Sequence, residues 1–239
     1  MLKAKNVTKK FGELVAVNNL SFEVKKGQVY GIAGPNGAGK STVYNLITGN
    51  YSYEGKIEFK GQDITGLSPH RIAKAGIART FQIPEIFPSL TVQKSICVGS
   101  RFGARGGLDL EHTEKIISFV GLTEERFQNT GLLNLLGKKK LMIGAALATK
   151  PEILMLDEPM AGSNTHEITS MMDLIKKINQ ELGITIIIIE HFMKVLTELT
   201  ETLLIIESGT RICCDKPEIV TSDPRVIKSY LGDAYAESK

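Results

Sequence analysis

Residues 34–42, Gly34-Pro35-Asn36-Gly37-Ala38-Gly39-Lys40-Ser41-Thr42, decide the fold of this chain. They set Gly34, Gly39, Lys40 and Ser41 on the phosphate-loop pattern G-x-x-x-x-G-K-[ST]. The run before the loop, QVYGIA at 28–33, predicts a buried strand, and TVYNLIT at 42–48 predicts a helix. That strand–loop–helix context separates a nucleotide site from a chance match. Gly34, Gly37 and Gly39 let the backbone turn tightly and bring its N–H groups to phosphate oxygens, where a Cβ would intrude. The helix start adds unpaired donors and a dipole end of roughly half a positive charge. Lys40 has the reach for β- and γ-phosphates, and the Ser41 hydroxyl suits Mg²⁺, an ion that prefers oxygen ligands.

A second stretch, ILMLDEP at 153–159, is an apolar strand ending in two carboxylates. Asp157 falls at the C-terminal end of that strand, the side on which α/β sheets bind ligands. An acid there can hold Mg²⁺ through water, and Glu158 could orient or deprotonate an attacking water. Alone, the stretch reads as a strand with an acidic turn; the phosphate loop upstream changes its weight. IIIIEH at 186–191 is another apolar strand with a polar end. There a neutral His191 could hydrogen-bond a γ-phosphate or the water. In isolation, a strand-end histidine is more often structural. Gln82, in ARTFQ, follows a short expected strand at 77–80; an amide can ligate Mg²⁺ or water, but most surface glutamines do nothing. Arg79 precedes it and carries no assigned role.

The chain has 239 residues, 42% of them hydrophobic and 23% charged, which is ordinary for a globule with a sizeable core. A net charge of +3 is mild and argues neither for nor against nucleic acid, and no long basic block is present. The KKK run at 138–140 reads as a solvated helix face. No apolar run approaches the ~20 residues of a membrane helix, and the N-terminus lacks the apolar region of a cleavable signal. Any membrane association is therefore expected through a partner. Cys97, Cys213 and Cys214 have no metal-ligand spacing and read as reduced core thiols.

Along the chain, strands are expected at 4–7, 20–24, 29–33 and 56–59. Helical spacing dominates 90–150, with helices at 92–98, 112–120 and 139–149 and an exposed glycine-rich loop at 99–107. Fully apolar strands at 153–156 and 184–190 flank a helix at 167–182, a pattern suited to a parallel sheet covered on both faces. Strands at 203–207 and 210–214 and a helix at 224–231 close the chain. These elements predict a nucleotide-binding α/β core interrupted by a helical subdomain.

In this order and spacing the elements resemble the ATP-binding subunit of ABC transporters, over nearly the whole chain. The resemblance implies a P-loop NTPase fold with an N-terminal β-rich subdomain, a core at 1–82 and 151–239, and an inserted helical subdomain at about 83–150. It implies that Phe11 stacks on adenine, that residues 34–42 are the Walker A loop, and that Gln82 is the Q-loop glutamine. Asp157 and Glu158 resemble the Walker B aspartate and catalytic glutamate. AGSN at 161–164 resembles the D-loop, and His191 the switch histidine. The implied catalytic set is thus Glu158, His191, Lys40 and Gln82. Phe11 and Gly34 to Thr42 would bind ATP, and Ser41, Gln82 and Asp157 would serve Mg²⁺.

Finer segments, GIARTFQIPEIFPSLTV at 76–92, DEPMAG at 157–162 and SDPRVIKSYLG at 222–232, resemble the LivG-type branch of branched-chain amino-acid importers. The branch implies ATP-driven uptake of such amino acids or related small solutes. Implied partners are a second ATPase subunit (a copy or a LivF-like chain), transmembrane permeases and, indirectly, a periplasmic or surface solute-binding protein. The implied place is the cytoplasmic face of the cell membrane, held there by the permeases. A soluble ATPase of DNA repair or translation, or a non-hydrolysing regulatory subunit, are the rival readings.

One segment departs from the family. LNLLG at 133–137 stands where an LSGGQ-like signature is expected, with Asn134 for serine and Leu135 and Leu136 for the glycines. Sliding the alignment by one lets Gly137 take the second-glycine place, at the cost of turning the next helix by about 100°. Both registers fit the sequence. The departure predicts two unequal ATP sites in a dimer.

Overall fold

The computed structural model describes residues 1–103 and 107–231. Residues 104–106 of the expected glycine-rich loop and Gly232 of the tail segment lie outside them. The chain forms two compact units, Met1–Pro69 with Thr185–Lys239, and His70–Ile184.

The first unit opens with β1 (Leu2–Phe11) and β2 (Leu14–Val24), an antiparallel hairpin with alternating buried and exposed residues. Then follow β3 (Val29–Ala33), α1 (Lys40–Ile47), β4 (Glu54–Phe59) and the two-residue β5 (Gln62–Asp63). The order β2-β1-β4-β5 makes an antiparallel sheet. Every residue of β3 is buried, which accounts for its unbroken apolar run.

The second unit contains α2 (Pro69–Ala75), β6 (Ile77–Arg79), α3 (Val92–Phe102), α4 (Leu110–Phe119), α5 (Leu135–Ala148), β7 (Ile153–Asp157) and α6 (Thr165–Leu182). Here β6 and β7 pair in parallel. Helices α3 and α4 both pack on α5. The expected loop at 99–107 is corrected in its first part, since α3 runs through to Phe102. Gly99 allows this: a Cβ there would stand 2.1 Å from the Ala145 carbonyl oxygen. The glycine signals close helix packing rather than a break.

Returning to the first unit, β8 (Thr185–Ile189), α7 (Met193–Leu199), β9 (Thr202–Glu207), β10 (Thr210–Asp215), α8 (Pro217–Val220) and α9 (Pro224–Leu231) complete the chain. Strand β3 lies between β8 and β9, parallel to both, and β10 runs antiparallel along β9. Tyr44 of α1 ties the helix to this sheet by donating its hydroxyl to the Ile187 carbonyl at 2.7 Å. The three cysteines are free but half-buried, not core residues; the Cys214 Sγ lies 3.3 Å from the Tyr30 hydroxyl. Among the described residues, no helix is long and apolar enough to cross a membrane.

Candidate active site

In the first unit, the phosphate loop joins β3 to α1, as its flanks predict. Gly34 (φ +154°) and Gly39 (φ +100°) are required by close approach. An added Cβ would stand 2.0 Å from the Ile206 carbonyl oxygen at Gly34, and 2.4 Å from that of Ala16 at Gly39. The Ala38 carbonyl accepts from Gly209 N at 3.0 Å, which pins the loop to the β9–β10 turn. Pro35, Asn36 and Gly37 form the rise of the loop, and Asn36 and Gly37 are exposed. Lys40 is buried, and its Nζ donates to the loop's own carbonyls, Gly34 at 2.7 Å and Pro35 at 2.9 Å. Its ammonium is thus held inside the loop it serves. Helix α1 has no side-chain cap and no acidic residue in its first turn. By contrast, α3, α4, α5 and α6 are capped by Thr91, Asp109, Asn134 and Asn164. The first turn of α1 therefore keeps a positive end for an anion. Ser41 is exposed and Thr42 half-buried on that turn.

Phe11, at the end of β1, is 42% exposed. Its ring meets Tyr51 edge-on at 5.2 Å, and the Lys9 ammonium lies 4.9 Å from its centre. A ring exposed to this degree can stack on a base. His191 follows β8, is exposed, and its backbone N–H donates to the carboxylate of buried Glu190 at 3.2 Å.

The two acids lie in the second unit. Asp157 ends β7 and is buried, and Glu158 follows in a left-handed conformation (φ +47°). That conformation costs a non-glycine residue about 1–2 kcal/mol, and such costs concentrate at functional sites. Gln82 meets it: the amide Nε2 donates to Glu158 Oε2 at 2.6 Å. Thr80 Oγ1 accepts from Asp157 N at 3.4 Å.

Two residues with no functional role assigned from sequence make buried ionic contacts in this unit. Arg79 Nη2 pairs with Asp157 Oδ2 at 3.0 Å, both side chains being nearly buried. The available signal was a charge inside the otherwise apolar strand IAR, which needs a partner. Lys139 is the second, and it corrects the solvated-face reading of residues 138–140. It is only 3% exposed, and its Nζ donates to the Ala161 carbonyl and, at 3.1 Å, to Ser163 Oγ. Buried residues alternate through Gly137, Lys139, Leu141 and Ile143, so the start of α5 is covered on more than one side. A helix covered in this way has no wholly solvated face.

Asn134 is the N-cap of α5, its Oδ1 accepting from Gly137 N at 2.8 Å. The helix therefore starts where the unshifted register of LNLLG sets it. Leu135 is 40% exposed and lies against Gly162, whose added Cβ would stand 3.3 Å from its Cδ2. Asn164 and Glu167 form a reciprocal capping box at the start of α6.

Residues 17–161 match the family model described as ABC transporter. The chain is an ABC transporter ATP-binding cassette. It is 34% identical to the high-affinity branched-chain amino acid transport ATP-binding protein BraF of Pseudomonas aeruginosa, over 98% of each chain. It is 32% identical, over 98% of each, to LivG of Escherichia coli, which bears the same description. Among solved structures, an ABC transporter cassette in its ADP conformation superposes with a TM-score of 0.89 at 30% identity, covering 98% of this chain and 99% of that one. A dimeric cassette in a post-hydrolysis state with ADP and Pi superposes at 0.81 and 26% identity, covering 91% and 99%. As a member of this family the cassette binds adenine nucleotide and is an ATPase.

Proposed function

We propose that this cassette hydrolyses ATP to drive an importer of branched-chain amino acids or related small solutes. The substrate class follows the relatives named for that transport. In this reading the loop from Gly34 to Thr42 holds the phosphates and Phe11 stacks on adenine. Lys40 turns from its own carbonyls to the β- and γ-phosphates, and the first-turn N–H groups of α1 meet developing charge. Glu158 aligns the attacking water, while Gln82 and His191 respond to the γ-phosphate. The observation that carries hydrolysis, beyond binding, is the strained Glu158 held by Gln82 at 2.6 Å.

Ser41, Gln82 and Asp157 offer hydroxyl, amide and carboxylate oxygens, a hard donor set that fits Mg²⁺. Among the described residues no cluster of three His, Cys, Asp or Glu side chains could hold a metal, so magnesium here would take most of its ligands from phosphate and water. When bound, it would neutralise phosphate charge.

The cassette would close head-to-tail with a second ATPase subunit, a copy or a LivF-like chain. It would sit at the cytoplasmic face of the membrane on permease subunits that receive solute from a binding protein; nucleic acid has no part. The core at 1–82 and 151–239 would carry the nucleotide, and the helical segment at 83–150 would pass motion to the permeases. Leu135 and Leu136, standing where the family has glycines, would block close backbone approach to a partner-held γ-phosphate. The two ATP sites would then be unequal.

The test is ATP hydrolysis and leucine uptake by the transporter reconstituted in vesicles. Lys40→Ala should abolish both, and Glu158→Gln should trap ATP in a closed complex. Uptake that survives Lys40→Ala refutes the reading, as does a Glu158→Gln complex that hydrolyses at the normal rate.

A further inference from the structure

Lys9, Phe11 and Tyr51 meet near the turn of the β1–β2 hairpin, all within the first unit. The Lys9 ammonium stands over the Phe11 ring, 4.9 Å from its centre. It also lies 5.6 Å from the centre of the Tyr51 ring, and the two rings are 5.2 Å apart with their planes at 85°. These three distances close a triangle, with the ammonium over one face of Phe11 and Tyr51 to the same side. A cation over one face cannot cover the other, and Phe11 is still 42% exposed. The cluster belongs to the same unit as the phosphate loop and lies beside it. Strand register sets Lys9 opposite Val17, and the carbonyl oxygen of the preceding residue, Ala16, stands 2.4 Å from where a Gly39 Cβ would be.

We propose that Lys9 is a positioning residue for the nucleotide base, acting through Phe11 from the face opposite the stack. The inference rests on Phe11 stacking on adenine. Lys9 contributes in two ways. Its charge draws π density towards itself, so the opposite face of Phe11 is less negative and takes an electron-rich purine more readily. Together with Tyr51 it also holds the ring in one orientation before nucleotide arrives, which lowers the ordering cost of binding. Lys9 therefore sets the share of nucleotide affinity that comes from the base and leaves the share from the phosphates alone. A lysine that only filled space beside the rings, or one that reached the phosphates itself, would not divide the affinity in this way.

The experiment measures the Kd of ATP and of inorganic tripolyphosphate for the full chain, at one Mg²⁺ concentration and one ionic strength. Lys9→Met keeps the stem of the side chain and removes its charge. It should weaken ATP about two- to fivefold, the size of a cation–π contact at an exposed site, and leave tripolyphosphate unchanged. Lys9→Arg keeps a cation over the ring and should stay within about twofold of wild type for both ligands. In a Phe11→Ala background, Lys9→Met should cost ATP nothing further. If Lys9→Met does not fold, Lys9→Gln is read instead, since it removes the same charge and keeps a polar end. Unchanged or tighter ATP binding in a folded Lys9→Met or Lys9→Gln protein overturns the proposal. An equal loss for tripolyphosphate overturns it too, because Lys9 would then act on the phosphates, as does an equal ATP loss in the Phe11→Ala background. A Phe11→Ala chain that binds ATP as wild type does would instead sink the stacking role of Phe11 on which the proposal depends.

Discussion

Replacing Lys139 with methionine keeps the stem of the side chain and removes its ammonium. The bonds to the Ala161 carbonyl and to Ser163 Oγ go with it. Hydrogen bonds from a charged donor contribute about 1.5–3 kcal/mol each, and a buried carbonyl left without a partner costs about 1–3 kcal/mol. Methionine recovers part of this, because the ammonium no longer has to be stripped of water. A net loss of about 2 kcal/mol follows, which for a chain of this length lowers Tm by roughly 4–8 °C. A solvated lysine would cost less than about 0.5 kcal/mol, or roughly 2 °C. The two expectations do not overlap. Thermal melting measures the first quantity, and hydrogen exchange at residues 161–163 locates it. A variant that melts within about 2 °C of wild type, with unchanged exchange in that segment, refutes the burial argument.

Three further outcomes are expected. Gly34→Ala puts a Cβ 2.0 Å from the Ile206 carbonyl oxygen and should abolish the rise in Tm on adding ATP, whereas Gly37→Ala meets no atom within 4 Å and should cost only about 1 kcal/mol of backbone strain; equal effects in melting assays would count against the packing account. Asn134→Ala should lower Tm by roughly 2–4 °C through the loss of an N-cap of about 1 kcal/mol, and Asn134→Ser should restore most of it; no loss in the alanine variant would return the register of LNLLG to doubt. Lys150 first, and then the His112 backbone N–H, hold the Asp109 carboxyl below its ordinary value. A depressed carboxylate adds stability above its unfolded value of 3.8, and that stability fades as pH falls through the lower folded value. Acid titration of Tm should therefore be shallower below pH 3.8 for Asp109→Asn than for wild type, and parallel curves would contradict the pairing.

Much of the nucleotide-binding half was legible before any coordinates. Strand, glycine loop and helix at 28–48 are local features, each fixed by neighbours within a few residues, and β3 falls on the predicted residues. The apolar run ending in Asp157 likewise announces a buried strand whose acid emerges at its end. Reading failed where one residue type serves two purposes. Gly99 looked like a loop signal because glycine breaks helices in isolation. In the structure it makes room for the Ala145 carbonyl, a contact that α3 meets only once α5 is in place. The lysines at 138–140 looked like a charged face because charge is usually solvated, yet the middle one is enclosed.

The chain's own order of residues determined that it carries a phosphate loop, an acid-tipped strand and the spacing of an ABC cassette, because each of these is written in short-range pattern. Tertiary structure alone decided what the ionic groups do. Arg79 and Asp157 are 78 residues apart, and Lys139 and Ala161 are 22 apart. No local rule pairs them. Their partners are chosen by burial, which forces each charge that the packed β6–β7 pair and α5 take from water to find an opposite charge or a carbonyl within reach.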